Sequence, residues 1–183
     1  MKNNNNPITT TIILNSETIL IIAIFTVIII TVAGAVSTDE IVTATSNKAP
    51  NFNLKTIDGE QMSIQSFKGK PAILWFMSLS CPSCYAQADV FKQIKNEYGN
   101  KIDVLVIDML QDTDTDLQDF IAKFGSPDWK VTVDTGGVAI KYGITVTDST
   151  VVVDENGNIV FKNLGPAGYR QIKDAISNVL AIA

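Results

Sequence analysis

Pro71-Ala-Ile-Leu-Trp-Phe-Met-Ser-Leu-Ser-Cys-Pro-Ser-Cys84 is the stretch on which the reading of this 183-residue chain turns. Pro71 to Met77 is a nearly continuous apolar run bounded by Gly69 and Ser78, the pattern of a strand covered on both faces. Pro82 suits the first position of a helix, where a missing N–H leaves nothing unpaired. A helix is expected from Pro82 to about Tyr98, with Val90, Phe91, Ile94 and Tyr98 on one side. Strand, tight turn and helix together place Cys81 at the helix N-cap, beside unpaired backbone N–H groups and the positive end of the helix dipole. Both favour a thiolate there. Cys84 falls one turn inside the helix, on the same side and less exposed.

Cys81 and Cys84 are the only cysteines in the chain. A structural staple is poorly served by so short a loop, because the entropy removed by a cross-link grows with loop length. A zinc knuckle needs four ligands, and there is no histidine and no further cysteine, so zinc would require a second chain or carboxylates. A C-x-x-C pair in a strand–helix setting is a redox centre. Cys81 is placed to attack a disulfide and Cys84 to resolve the mixed disulfide, or the pair runs in reverse and oxidises a partner. The missing histidine also removes Ser-His-Asp and Cys-His catalysis and imidazole metal sites.

Outward from this centre, the chain divides unevenly. Residues 1–17 are a polar tail rich in Asn and Thr. Thr18 to Thr38 carries no charge, and its 21 residues would span about 31 Å as a helix, the thickness of a bilayer core. A membrane anchor over 18–38 is expected, with a cleaved signal peptide ending near Ala33-Gly-Ala35 as the alternative. The weak charge bias puts the N-terminus in the cytoplasm and the remainder outside it. Residues 39–48 form a linker, and residues 49–183 are long enough for one core. The net charge of −5 and the lack of a basic cluster argue against nucleic acid.

Within 49–183, Phe52–Thr56 and Gln61–Ile64 flank Asp58-Gly59 as a hairpin. Ile102–Ile107 reads as a second buried strand, Asp116–Phe124 as a helix, and Lys130–Asp134 as a short strand. Gly137–Tyr142 is a short helix, and Ser149–Val153 with Ile159–Phe161 is a hairpin. Ile172, Ala175, Ile176, Val179 and Leu180 form the apolar stripe of a final helix. Alternating strands and helices define an α/β class with a central mixed β-sheet flanked by helices.

Ala49 to Gln87, with its C-P-S-C motif, resembles the opening of membrane-anchored thioredoxin-like thiol–disulfide oxidoreductases of the TlpA/ResA type, within the redoxin superfamily. Tyr142 to Val160 is similar to their later strand–hairpin element. The resemblance spans residues 49–183. It implies a thioredoxin fold with an N-terminal β-hairpin extension and one N-terminal transmembrane helix. It also implies Cys81 as nucleophile, Cys84 as resolving thiol, and protein thiols or disulfides as partners. An upstream redox protein must supply or remove electrons. No cofactor and no metal are expected.

The sequence departs from that family in four places. Ser80 stands where the family has Trp, and Gln87 where many members have a titratable Glu. Trp75 stands where thioredoxins proper place a buried Asp. Asp148 occupies the place of the family's cis-proline, so a trans loop is expected there. If Asp148 approaches Cys81, its charge disfavours the thiolate, and the residue then tunes the pair or accepts a proton. As an exposed loop carboxylate it would do neither. Thr147 and Pro82 are the other candidates for tuning or substrate contact.

Two competing functions follow from the same residues. Ser78, three before Cys81, is compatible with a peroxiredoxin-like peroxidase, although Arg170 lies late in the chain for that chemistry. The altered loop is compatible with a non-catalytic binding or assembly module. The acidic run Gln111–Asp116 lacks the Gly and Glu of a calcium loop, with Leu117 and Lys123 in their places, and reads as a helix cap.

Overall fold

The computed structural model describes residues 47–126 and 128–182. The expected tail, the 18–38 anchor and the linker up to residue 46 lie outside the described residues. Among the described residues, no helix is long and apolar enough to cross a membrane.

The elements run β1 (Leu54–Lys55), β2 (Gln61–Met62), a 3₁₀ turn (Ile64–Phe67), β3 (Ala72–Met77) and α1 (Pro82–Tyr98). They continue as β4 (Asp103–Asp108), α2 (Asp114–Phe124), β5 (Lys130–Val133) and α3 (Val138–Lys141). β6 (Ser149–Val153), β7 (Ile159–Asn163) and α4 (Tyr169–Ile182) complete the domain. The main sheet has the order β5-β4-β3-β6-β7. β3, β4 and β5 are parallel, whereas β6 and β7 run antiparallel. β1 and β2 pair separately, Leu54 opposite Met62.

β3 is apolar throughout because it is central and both its faces are covered. Its period of two sorts it into two cores. Ile73, Trp75 and Met77 pack with Ala88, Phe91 and Ile94 of α1 and Ile172 and Ile176 of α4. Leu74 and Phe76 face the other way, onto Leu54, Met62 and Phe67 and onto Val138 and Tyr142. The result is a thioredoxin-like α/β sandwich with a mixed sheet and flanking helices.

Helix α2 starts two residues before the expected Asp116, because Thr113 caps it by accepting from the Asp116 N–H. Strand β4 is displaced one residue later than expected and ends on Asp108, a fully buried carboxylate. The chain enters the domain along the β6–β7 turn. Lys48 bridges Asn158, and the Ala49 N–H donates to the Gly157 carbonyl at 2.9 Å.

Candidate active site

The site is assembled where β3 gives way to α1. Ser78 accepts the Cys81 N–H on its carbonyl at 3.1 Å, and its hydroxyl lies 2.8 Å from that of Ser80. The Leu79 N–H donates to Asp112 Oδ2 at 2.8 Å, and the Asp112 N–H donates to Asp108 Oδ2 at 2.8 Å. The loop between strand and helix is thereby tied to the end of β4. Tyr85, from the first turns of α1, donates its hydroxyl to the Leu79 carbonyl at 3.1 Å.

Cys81 is the N-cap of α1, with extended backbone (φ −95°, ψ 107°) and Pro82 following it into the helix. Its side chain makes no capping bond, and the first turn holds no acidic residue to oppose the dipole. Cys81 and Cys84 form a disulfide, with Cα atoms 5.5 Å apart. Cys81 retains 6 % exposure and Cys84 none, so only the first sulfur can meet another molecule. The Ser83 hydroxyl lies 3.4 Å from Cys81 Sγ and can donate to it. Pro82 and Ser83 are exposed beside the disulfide, whereas Thr147, next to Asp148 in the chain, is half-buried.

Asp148 is brought to this centre by strand pairing. Phe76 of β3 sits opposite Ser149 of β6, so the residue before β6 lands beside the end of β3. The described residues contain no cis peptide bond, and Asp148 adopts a left-handed backbone at φ +62°. Asp tolerates that region better than most residues. The Ser149 hydroxyl fixes the loop, donating to the Val146 carbonyl at 2.7 Å and accepting the Gly165 N–H at 3.1 Å.

The exposed-carboxylate alternative for Asp148 is overturned: the side chain is completely buried. Its Oδ1 accepts the Trp75 indole N–H at 3.1 Å, and its Oδ2 has no hydrogen-bond partner. A carboxylate oxygen and the two sulfurs all lie within 4.8 Å of one another. Burial pushes the Asp148 carboxyl up from its ordinary range, with Ser83 and the Trp75 N–H opposing the shift.

Three contributions were not legible from residue types alone. Trp75 is core, as its run of apolar neighbours implies, but its N–H also holds Asp148. The signal was its position six residues before Cys81, where thioredoxins carry an acid. Asp112 anchors the Leu79 amide, and nothing local to Asp112 points to Leu79. Gln87 is buried and uses its Oε1 to accept the Ala167 N–H at 2.9 Å, joining α1 to the segment before α4. Two shallow grooves lie along the first turns of α1, without Cys81 or Cys84 in their linings. One is lined by Leu79, Tyr85, Phe120 and Phe124, the other by Ser83, Ala86, Val90 and Pro166.

This geometry, a Cys-x-x-Cys disulfide at a helix N-cap on a mixed-sheet sandwich, defines a thioredoxin-like protein. The chain belongs to the Redoxin family, whose model matches residues 44–179. It is 24% identical over 143 residues to the thioredoxin-like protein YneN of Bacillus subtilis, covering 76% of this chain and 83% of that one. It is also 24% identical over 134 residues to the thiol-disulfide oxidoreductase ResA of Bacillus thuringiensis subsp. konkukian, covering 72% and 76%. Among solved structures, a thioredoxin-like protein from Aeropyrum pernix superposes with a TM-score of 0.64 at 30% identity, covering 70% and 89%. Fold, relatives and Cys81–Cys84 pair together make the protein a thioredoxin-like thiol–disulfide oxidoreductase.

Proposed function

We propose that the protein exchanges disulfides with protein partners outside the cytoplasm, tethered to a membrane by residues 18–38. The observation that carries the exchange reading is the unequal exposure of two sulfurs one helical turn apart. Reduced Cys81 attacks one sulfur of a partner disulfide, the partner's S–S bond breaks, and its second sulfur leaves as a thiolate. Cys84, buried beneath, then attacks Cys81 Sγ. The mixed disulfide breaks, the partner's remaining thiolate leaves, and the Cys81–Cys84 bond forms. Two electrons have passed to the partner, whose two thiolates take protons from solvent and from the Cys81–Cys84 pair. The reverse order oxidises a partner dithiol. With no third cysteine in the chain, a second redox protein has to reset the pair.

The charge-free run Thr18–Thr38 supports the tether, and the few positive charges before it support an N-terminus in the cytoplasm. The grooves along the first turns of α1 support a protein substrate. Thr147, Pro82 and Asp148 frame the disulfide and tune it, Asp148 by placing its charge beside the sulfurs.

Cys84→Ser tests the exchange. Expressed as the full chain in cells, it should accumulate Cys81 mixed disulfides in the membrane fraction, separable on non-reducing gels. No trapped species, with the variant folded and in the membrane, would remove protein exchange as the function. Peroxide-dependent sulfenic acid at Cys81 in the same variant would support a peroxidase instead.

A further inference from the structure

The mechanism above uses two sulfurs and leaves Asp148 with an unused oxygen. That oxygen is notable because the side chain has no exposure at all, and buried polar atoms are normally paired. Among the described residues no lysine or arginine forms an ion pair with Asp148, and the groups that favour its charge are neutral: the Trp75 indole, which donates to Oδ1, and the nearby Ser83 hydroxyl. The loop that carries it is closed by the Ser149 hydroxyl, which donates to the Val146 carbonyl and accepts the Gly165 N–H from the segment after β7. A fixed carboxylate thus faces two sulfurs with its second oxygen uncommitted.

We propose that Cys81, Cys84 and Asp148 form, in the reduced protein, a site for a zinc-class divalent cation held by two thiolates and one carboxylate. The three donor atoms already lie within 4.8 Å of one another. Around a tetrahedral ion with Zn–S near 2.3 Å and Zn–O near 2.1 Å, donors sit about 3.5–3.8 Å apart, which small side-chain rotations reach. The fourth position opens on the exposed side of Cys81, where water or a partner's side chain can bind. Thiolates discriminate against calcium and magnesium, and the hard carboxylate favours a borderline ion over a monovalent copper ion. As the ion binds, two thiols release their protons to solvent and no electron is transferred.

The site is redox-gated by construction. In the disulfide neither sulfur is a thiolate, so the oxidised protein has only the carboxylate to offer. Bound metal in turn ties up the attacking sulfur and holds the pair reduced. The inference depends on the exchange reading only for the supply of reduced pair, which a phosphine reductant can replace.

The test is titration of the phosphine-reduced, full-length protein in detergent with Co²⁺, followed by displacement with Zn²⁺ against a chromophoric chelator. The expected result is one ion per chain, with sulfur-to-cobalt charge-transfer bands and the visible bands of a tetrahedral ion. The oxidised protein should show neither. Asp148→Asn, which keeps an oxygen for Trp75, should weaken binding at least about tenfold, the scale on which even outer-sphere partners act. Asp148→Cys should strengthen the charge-transfer bands by adding a third thiolate, so a folded form of either variant is enough. Equal binding and equal spectra in wild type and the folded variant would overturn the proposal, as would binding that ignores the oxidation state. Stoichiometric binding without disulfide exchange would defeat the exchange reading alone. Exchange without stoichiometric binding would defeat this inference alone.

Discussion

Asp148 shows how much one residue can change a shared scaffold. Left-handed backbone turns its side chain inward, and Trp75 receives it with an indole N–H. The two side chains thus form a buried donor–acceptor pair beside the sulfurs. Where the carboxyl is ionised, its charge raises the energy of a thiolate at Cys81 and so disfavours the reduced pair. Asp148→Asn is therefore expected to raise the reduction potential of Cys81–Cys84 by about 30 mV, a tenfold change in the two-electron equilibrium. Equilibration of metal-free protein with glutathione buffers measures it, and an unchanged or lower potential would contradict the tuning role. Cys81 and Pro82 could be placed from sequence because an N-cap is decided by neighbours in the chain. The burial of Asp148 could not, because it depends on Ser149 pairing with Phe76, 73 positions away.

Among the elements, α1 and β3 carry the site. Phe91 lies two turns along the same face of α1 from Cys84 and meets Trp75 edge-on, ring centroids 5.1 Å apart. Trp129 and Phe120 close the other sides of the same indole at 6.2 Å. Phe91→Ala should cost about 3–5 kcal/mol of stability, from lost burial and the cavity left behind. It should also loosen the indole that holds Asp148. Urea denaturation gives the first quantity, and a change below about 1 kcal/mol would mean the cluster re-forms around the gap. The limits of α1 matched expectation because Pro82 and Gly99 punctuate it, the latter at φ +56° where a side chain is disfavoured. The start of α2 did not, since Thr113 competes with Thr115 as a cap and only the observed hydrogen bond decides between them. The acidic run before and within α2 serves two ends: Asp112 holds Leu79, and Asp114 and Asp116 complement the helix dipole.

At the scale of the whole domain, a mixed sheet flanked by helices was readable from apolar strands alternating with helices, whereas the order β5-β4-β3-β6-β7 was not, because it is set by pairing between distant strands. The network joining Asp108, Asp112 and Leu79 was not, because it forms only after β4 lies beside β3. It leaves a signature in global stability. Burial and the neighbouring Asp112 push the Asp108 carboxyl up to about 6, from 3.8 when unfolded. Between these values the folded chain keeps a proton that the unfolded chain has released. This group's contribution is therefore full below about pH 4 and is lost as the pH rises through about 6. Asp108→Asn removes that slope. Relative to wild type, it should gain ~1–3 kcal/mol between about pH 4 and pH 7 in denaturant titrations. A constant difference across that range would show that Asp108 titrates normally.

The way the polypeptide joins the domain has a mechanical consequence. Lys48 and Ala49 are pinned beside the turn after Val153, and Val153 is paired with Ala72, the far end of β3 from Met77. The five residues of β6 separate that anchorage from Asp148 by about 17 Å. A pull transmitted through Asn47 would thus load the β6–β7 hairpin and leave the sulfur-bearing pole unstressed.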